Sequence, residues 1–422
     1  MPARASLLAL SWLAFFMADV RDGLGPFLAT YLQQARVQQE LIGYTMAAGG
    51  LAAVAMTPLA GAWVDRSHAK RAMTIGAALA VMAASAAAFS TLSGPVLIGS
   101  QIVTGVAGAV LAATTAALTL GLAKAAGFRR QTGRNEAASH AGNMISAIGA
   151  GLAAYLFGAP WLLAVMGAMT LGALLSVWAI RAGDIDHEAA RGGEPAACSG
   201  ASTAKMDHAP ASLRSLLGNR PLLLFALACA FFHLGNAAML PLLNQRLAAT
   251  VADSAPLLWT GVAIVVAQLT MIPVALWVAR SDRFDVSWFV YAAILVLPVR
   301  GVLAYAFTSE WNNIPVQVLD GIAAGALGVA TPLMVQRFTQ GSGRFNTSLG
   351  FVMTLQGIGA ALSPALANTV VGAGQHFAWA FAMLAAAALL ALPMFWWSQQ
   401  HMRARGIRVQ SIRTEPSRPA PL

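Results

Sequence analysis

Long apolar runs, each broken by a short polar segment, repeat along the whole chain. A hydrocarbon core of about 30 Å takes about 20 helical residues to cross. Twelve runs of that kind can be drawn, at approximately 6–33, 40–64, 72–92, 96–123, 138–157, 160–181, 220–246, 257–279, 286–308, 314–336, 347–373 and 376–398. None alternates with the two-residue period of a barrel strand. The pattern predicts an all-α membrane protein of twelve transmembrane helices. The first run is read as retained and not as a secretory leader, because it is long and carries Asp19, Arg21 and Asp22.

The polar interruptions set the organisation. From Arg181 to Gly218 the chain turns polar, with Gly192, Gly193, Pro195 and a Ser-Gly-Ala-Ser-Thr run at 199–203. This composition reads as a linker. It predicts an N-terminal six-helix bundle over 1–181, a cytoplasmic linker over 182–219, a C-terminal six-helix bundle over 220–398, and a disordered cytoplasmic tail over 399–422. The two blocks repeat one another, as expected of transporters built from duplicated halves. At an offset of 210, Phe128 meets Phe338, Gly133-Arg134 meets Gly343-Arg344, and Ile148-Gly149-Ala150 meets Ile358-Gly359-Ala360. At 216, Gln101 and Gly105 meet Gln317 and Gly321; at 215, Met56, Pro58 and Ala60 meet Met271, Pro273 and Ala275. Three collinear sets with nearly equal offsets are what duplication with unequal loops produces.

Composition agrees with lipid as the solvent: 58% of residues are hydrophobic and 10% charged, against about 25% charge in soluble domains. A net charge of +10 would suit a nucleic-acid partner, but the basic residues are spread between the apolar runs with no basic, aromatic-studded face. Topology accounts for them. With a cytoplasmic amino terminus, the inner segments hold nearly all Lys and Arg, and the outer ones hold Arg36 and Arg246. The positive-inside rule then places both termini in the cytoplasm. Cys198 lies in the linker and Cys229 in an apolar run, so no disulfide and no metal site is expected from them.

The loop after the second run reads Gly61-Ala-Trp-Val-Asp65-Arg66-Ser-His68-Ala-Lys70-Arg71. It is similar to the signature Gly-x-x-x-Asp-Arg-x-Gly-Arg-[Arg/Lys] of the major facilitator superfamily, with His68 and Ala69 where the second glycine and an arginine usually stand. Two six-span halves and a long central loop carry the same resemblance over nearly the whole chain. It implies two rigid bundles rocking about a central site, and Gly61, Asp65 and Arg66 as a conformational latch holding one of the two arrangements. Strings such as Phe16-Met17-Ala18-Asp19-Val20-Arg21-Asp22-Gly23 and His140-Ala141-Gly142-Asn143 resemble a bacterial exporter-like subgroup. The chain departs from proton-coupled drug exporters at Gln101, usually arginine, and at Gly149-Ala150-Gly151-Leu152, where a Gly-Pro pair is usual.

Ionisable groups in a bilayer cost about 2.5–3.5 kcal/mol each on insertion scales, so those that persist face the bundle interior and mark a pathway. Asp19, Arg21 and Asp22 crowd one turn of the first span, followed by Gly23, Gly25 and Pro26, a sequence that favours local unwinding. Either carboxylate is a candidate for proton coupling, and the alternative is a structural Asp/Arg pair with Arg21 or Arg300. His140 and Asn143 in the fifth span, and His233 and Asn236 in the seventh, repeat a three-residue spacing that puts each pair on one helix face. Asn244, Arg300, Asp320 and Gln356 complete the candidate proton-coupling or substrate-binding set.

The resulting expectation is a secondary transporter working by alternating access. Its first form is proton-coupled efflux of a small polar or zwitterionic organic solute, siderophore-like or drug-like. The alternative is proton-linked uptake, and a membrane-embedded transferase is a remote third. No cofactor, metal, nucleic-acid partner or catalytic motif is expected, and the chain is expected to act as a monomer.

Overall fold

A computed structural model describes residues 2–21, 28, 31–32, 35, 37, 39–158, 160–193, 218–250, 256–372 and 376–404. Among the described residues, twelve helices of twelve residues or more carry the fold: α1 (Pro2–Val20), α2 (Gln39–Arg66), α3 (Lys70–Ser90), α4 (Gly94–Phe157), α5 (Trp161–Ala179), α6 (Arg220–Asn236), α7 (Met239–Thr250), α8 (Pro256–Arg280), α9 (Val286–Ala306), α10 (Asn313–Thr339), α11 (Phe345–Val371) and α12 (Phe377–Ala404). No strand occurs among the described residues. Ten stretches among the described residues are long and apolar enough to cross a membrane, the stretch from Gly94 to Ala154 counting once, with Arg4–Ala18 shorter.

Helix α4 joins the fourth and fifth spans. At 64 residues it would measure about 96 Å if straight, three times the hydrocarbon core. It reverses at Lys124, whose φ of 53° and ψ of 176° leave the helical region. Asn135 donates from Nδ2 to Thr119 Oγ1 at 2.9 Å, so the two limbs lie side by side. Beyond Lys124, the polar segment that separates the two runs in the sequence, to residue 137, is helical. Charged residues end an apolar run without ending a helix, because beyond the hydrocarbon the backbone still bonds internally while Arg129, Arg130 and Arg134 reach water.

The seventh span also differs from a single rod. It is two helices, α6 and α7, with a break at Ala237 and Ala238. Ser363 on α11 donates nothing there but accepts, its Oγ receiving the Ala238 amide at 3.0 Å. The break thus keeps a buried backbone donor satisfied.

Apolar side chains pack into one cluster within residues 9–185, around Leu10, Leu13, Val81, Leu111 and Met166. A second is built mainly from 222–402, around Phe225, Phe289, Leu297, Phe345 and Phe395. Large apolar groups also face outward, Trp178 at 77% exposure and Leu51 at 71% among them. An outer surface of that kind suits a bilayer.

The halves meet closely at glycines. A Cβ on Gly61 of α2 would strike the backbone of α11, 2.7 Å from the Asn346 carbonyl carbon and 2.9 Å from Thr347 Cα. One on Gly133 of α4 would lie 2.7 Å from the Ala275 carbonyl oxygen of α8. Real Cβ atoms do not approach so near, so these glycines set the helix separation.

Candidate functional site

Between the halves lies a cavity of about 500 Å³. Helices α1, α4, α6, α8, α10 and α11 all contribute to its wall. The apolar part comes from residues such as Met17, Leu111, Phe232, Met271 and Met353; the polar part comes from Arg21, Glu136, His140, Asn143, His233, Asn236, Gln268 and Gln356.

The second limb of α4 supplies the best-defined chemistry. His140 Nδ1 lies 2.7 Å from Gln268 Oε1 on α8. A carbonyl oxygen accepts only, so Nδ1 carries the proton of that bond. The other nitrogen, Nε2, lies 3.9 Å from Glu136 Oε2 one helical turn away and has no hydrogen-bond partner among the described residues. The Glu136 carboxylate reaches Gly328 of α10, where a Cβ would come within 2.9 Å of Oε2. Glycine there makes room for the acid.

Beside it runs a buried amide chain tying α1 to α4. Gln131 Nε2 donates to the Leu7 carbonyl at 3.1 Å, to Ser11 Oγ at 3.0 Å and to Asn135 Oδ1 at 2.8 Å. Asn135 then donates to Thr119 at 2.9 Å. Sharing one amide among several acceptors fixes this wall of the cavity.

Of the residues singled out in the sequence, Arg21, His140, Asn143, His233, Asn236 and Gln356 line the cavity. His233 is held by an Nδ1 bond to the Cys229 carbonyl at 2.9 Å. Arg300 and Asp320 lie behind this wall as an ion pair at 2.9 Å, with Arg300 1% exposed and donating to Asn236 Oδ1. Arg300 thus pairs with Asp320 of the tenth span and reaches the cavity only through Asn236. Asn244 is buried on α7 outside the lining. Asp22, with the Gly23, Gly25 and Pro26 stretch, and the Asp19 side chain fall outside the described residues. Glu136 and Gln268 were not among the candidates. The i, i+4 spacing of Glu136 and His140 was the available signal, hidden because 124–137 reads as a loop.

At the face carrying the arginine-rich loops the halves are sealed. Asp65, 8% exposed at the end of α2, accepts from the Asn346 amide at 3.2 Å and Nδ2 at 2.8 Å, and from the Thr347 amide at 2.8 Å and Oγ1 at 2.6 Å. These are the first residues of α11, so the carboxylate satisfies backbone donors that the helix leaves free, where the helix dipole favours negative charge. Arg66 is exposed and makes no ion pair among the described residues.

A strap formed by residues 182–193 crosses the same face. It is tied to the first half by Ser6 Oγ donating to Asp184 at 2.6 Å, by the Asp186 amide on the Gly121 carbonyl at 3.2 Å, and by Lys124 with Asp186 at 3.4 Å. It is tied to the second half by the Phe345 amide on the Arg191 carbonyl at 3.0 Å, the Gly341 amide on the Gly192 carbonyl at 2.9 Å, and Asn346 Nδ2 on the Ala190 carbonyl at 2.9 Å. Burial raises the Asp186 carboxyl, but the Ala189 amide and Lys124 outweigh it and bring it below the usual carboxylate value. His187, with its ring centroid 4.8 Å from that of His68, is pushed down by burial and by the charge of Lys70.

Comparison with known proteins then decides the class. The profile of the family described as Major Facilitator Superfamily matches residues 7–309. The chain belongs to the major facilitator superfamily. Two proteins of Mycobacterium tuberculosis, from strains CDC 1551 / Oshkosh and ATCC 25618 / H37Rv, each bear the name uncharacterized MFS-type transporter. They are 42% identical to it over 374 residues, covering 86% of either chain. Among solved structures, the human organic anion transporter MFSD10 (TETRAN) superposes with a TM-score of 0.67 at 19% identity, over 94% of this chain and 100% of its own. A bacterial homologue of the iron transporter ferroportin in an outward-facing state gives 0.64 at 14% identity, over 95% and 100%. Both share the fold. As a member of this superfamily the protein is a multi-pass membrane transporter of small molecules, not an enzyme.

Proposed function

We propose that this transporter works by alternating access and exports a small polar or zwitterionic organic solute in exchange for protons across a bacterial inner membrane. The observation that carries the reading is the cavity between the halves: about 500 Å³, within the range of small-ligand sites, and walled by acid, imidazole and amide groups that a purely lipophilic solute would not need. Asp65 and Gly61, meeting the start of α11, support a latch on the arginine-rich face, with Arg66 beside them as the exposed member. The same face gathers the basic loops, which supports both termini being cytoplasmic. Coupling is assigned to a carboxylate of the first span, Asp19 or Asp22, because an ionisable group that persists within the bilayer marks a pathway. Export in place of uptake rests on the exporter-like strings of spans one and five.

The test is proton movement in everted membrane vesicles on addition of candidate organic solutes, comparing the wild-type chain with Asp19→Asn and Asp22→Asn. Solute-dependent proton efflux from the acidified vesicle lumen is expected in the wild type and is lost in one of the two variants. Solute movement without proton flux rejects antiport, and proton flux of opposite sign selects uptake.

A further inference from the structure

Resting on the proton-coupled reading above, we infer that Glu136 and His140, with Gln268 across the cavity, form a second proton site that also takes the cationic group of the solute. The Glu136 carboxylate and the free His140 Nε2 face each other at 3.9 Å on the cavity wall. Nε2 is buried and has no hydrogen-bond partner among the described residues, while Nδ1 is committed to Gln268. The pair therefore has one vacant proton position.

Its two states differ by one charge. With the proton on Nε2, an imidazolium faces a carboxylate and the pair is neutral. When the proton leaves to solvent, neutral imidazole and carboxylate remain and the wall carries one negative charge. A solute ammonium or similar monocation restores neutrality at the carboxylate, so one proton leaves as one cationic group arrives. The one-third exposure of Glu136 and its place on the cavity wall give such a group access. Among the described residues, the other charged or titratable groups around the site are Arg21 just beyond α1 and His233 from α6, with the Arg300–Asp320 pair behind Asn236; α8 and α11 present the neutral Gln268 and Gln356.

The site spans the halves. Glu136 and His140 belong to the first, and Gln268 and Gly328 to the second. A protonated imidazole makes a stronger, charge-assisted bond to Gln268, so protonation favours the arrangement in which the arginine-rich face is closed.

That linkage is measurable without knowing the solute. Nitroxide labels at Ala69→Cys and Arg283→Cys, with Cys198 replaced by Ser, report the separation of the halves on that face of the full chain in lipid nanodiscs. Both positions are exposed. Between about pH 5 and about pH 8, the wild-type distance distribution is expected to move from short to longer. Glu136→Gln, nearly isosteric, is expected to abolish the shift, and Glu136→Asp to retain part of it. A wild type with no shift, or a Glu136→Gln variant that shifts as the wild type does, overturns the inference. Loss of the shift in Glu136→Gln, with solute-driven proton flux that survives in both Asp19→Asn and Asp22→Asn, keeps this site and removes the first-span carboxylates from coupling; solute transport without proton flux overturns both.

Discussion

The two seams that close the arginine-rich face are related by the internal repeat, yet they are sealed with opposite charges. In one, the end of α2 meets the start of α11; in the other, the end of α8 meets the start of the second limb of α4. The offsets 215 and 210 that match Met56 with Met271 and Phe128 with Phe338 carry one pair of helices onto the other. At the first seam an acid on the finishing helix, Asp65, caps the amides of the starting helix. At the second, a base on the starting helix, Arg129, donates from Nε to the Val278 carbonyl in the last turn of the finishing one at 2.9 Å, and from its Nη atoms to the Phe284 carbonyl in the turn that follows. Either choice satisfies orphan backbone groups and matches a helix dipole. Duplication preserved the meeting of helix ends, and each copy found its own way to neutralise it.

The largest effect is expected at the acidic seam. Asp65→Ala strips four bonds from a buried site and should favour opening by about 3 kcal/mol, roughly two decades in the closed-to-open ratio. Alkylation of a cysteine at Met353, on the cavity wall, from the arginine-rich side should speed up accordingly; an unchanged rate would show that this seam does not hold the closed state. Arg129→Gln should cost about 1 kcal/mol, since its bonds are fewer and partly exposed. In the double variant the two costs should add if the seams act independently, and a sum that departs by more than about 0.5 kcal/mol means they are one coupled lock.

The smallest effect belongs to the turn that Arg129 grips. Asp285 accepts from Arg337 Nη1 at 2.8 and 3.0 Å and from the Ser287 amide at 2.9 Å. Burial raises its carboxyl, but Arg337 and the Ser287 amide more than compensate, so it titrates below its ordinary value of 3.8. A depressed carboxylate stabilises the fold above that value and ceases to as pH falls through the lower one. Thermal unfolding in detergent should therefore lose up to about 1 kcal/mol on acidification below about pH 4, for a partly exposed pair. Asp285→Asn should flatten that limb; an unaltered pH profile would mean that Arg337 contributes nothing there.

What could be read from the sequence follows from length scales. Spans were legible because crossing lipid demands about 20 apolar residues, a signal that needs no neighbours. Gly61 and Asp65 were legible as a local string, although only coordinates reveal that their targets are Asn346 and Thr347, some 280 residues on. Six candidate cavity residues came from intramembrane polarity alone. Glu136 escaped because three arginines around it made helix look like loop, and Gln268 because a single amide in an apolar run, without its partner His140, carries no pattern. The Arg300–Asp320 pair joins two different helices, and charge in a sequence does not say which opposite charge it will meet.

The strap over 182–193 changes how the central connection should be pictured. It does not hang free between the halves: its backbone is bonded to both. When the halves part on this face its bonds to Gly341 and Phe345 must break, but covalent attachment to α5 and its bonds to Gly121 and Lys124 keep it beside its groove. Recapture is then intramolecular, with an effective concentration in the range of about 1 mM. A separate peptide of the same sequence would have to reach that concentration to compete, so this contact is controlled by reach and tethering more than by its intrinsic affinity.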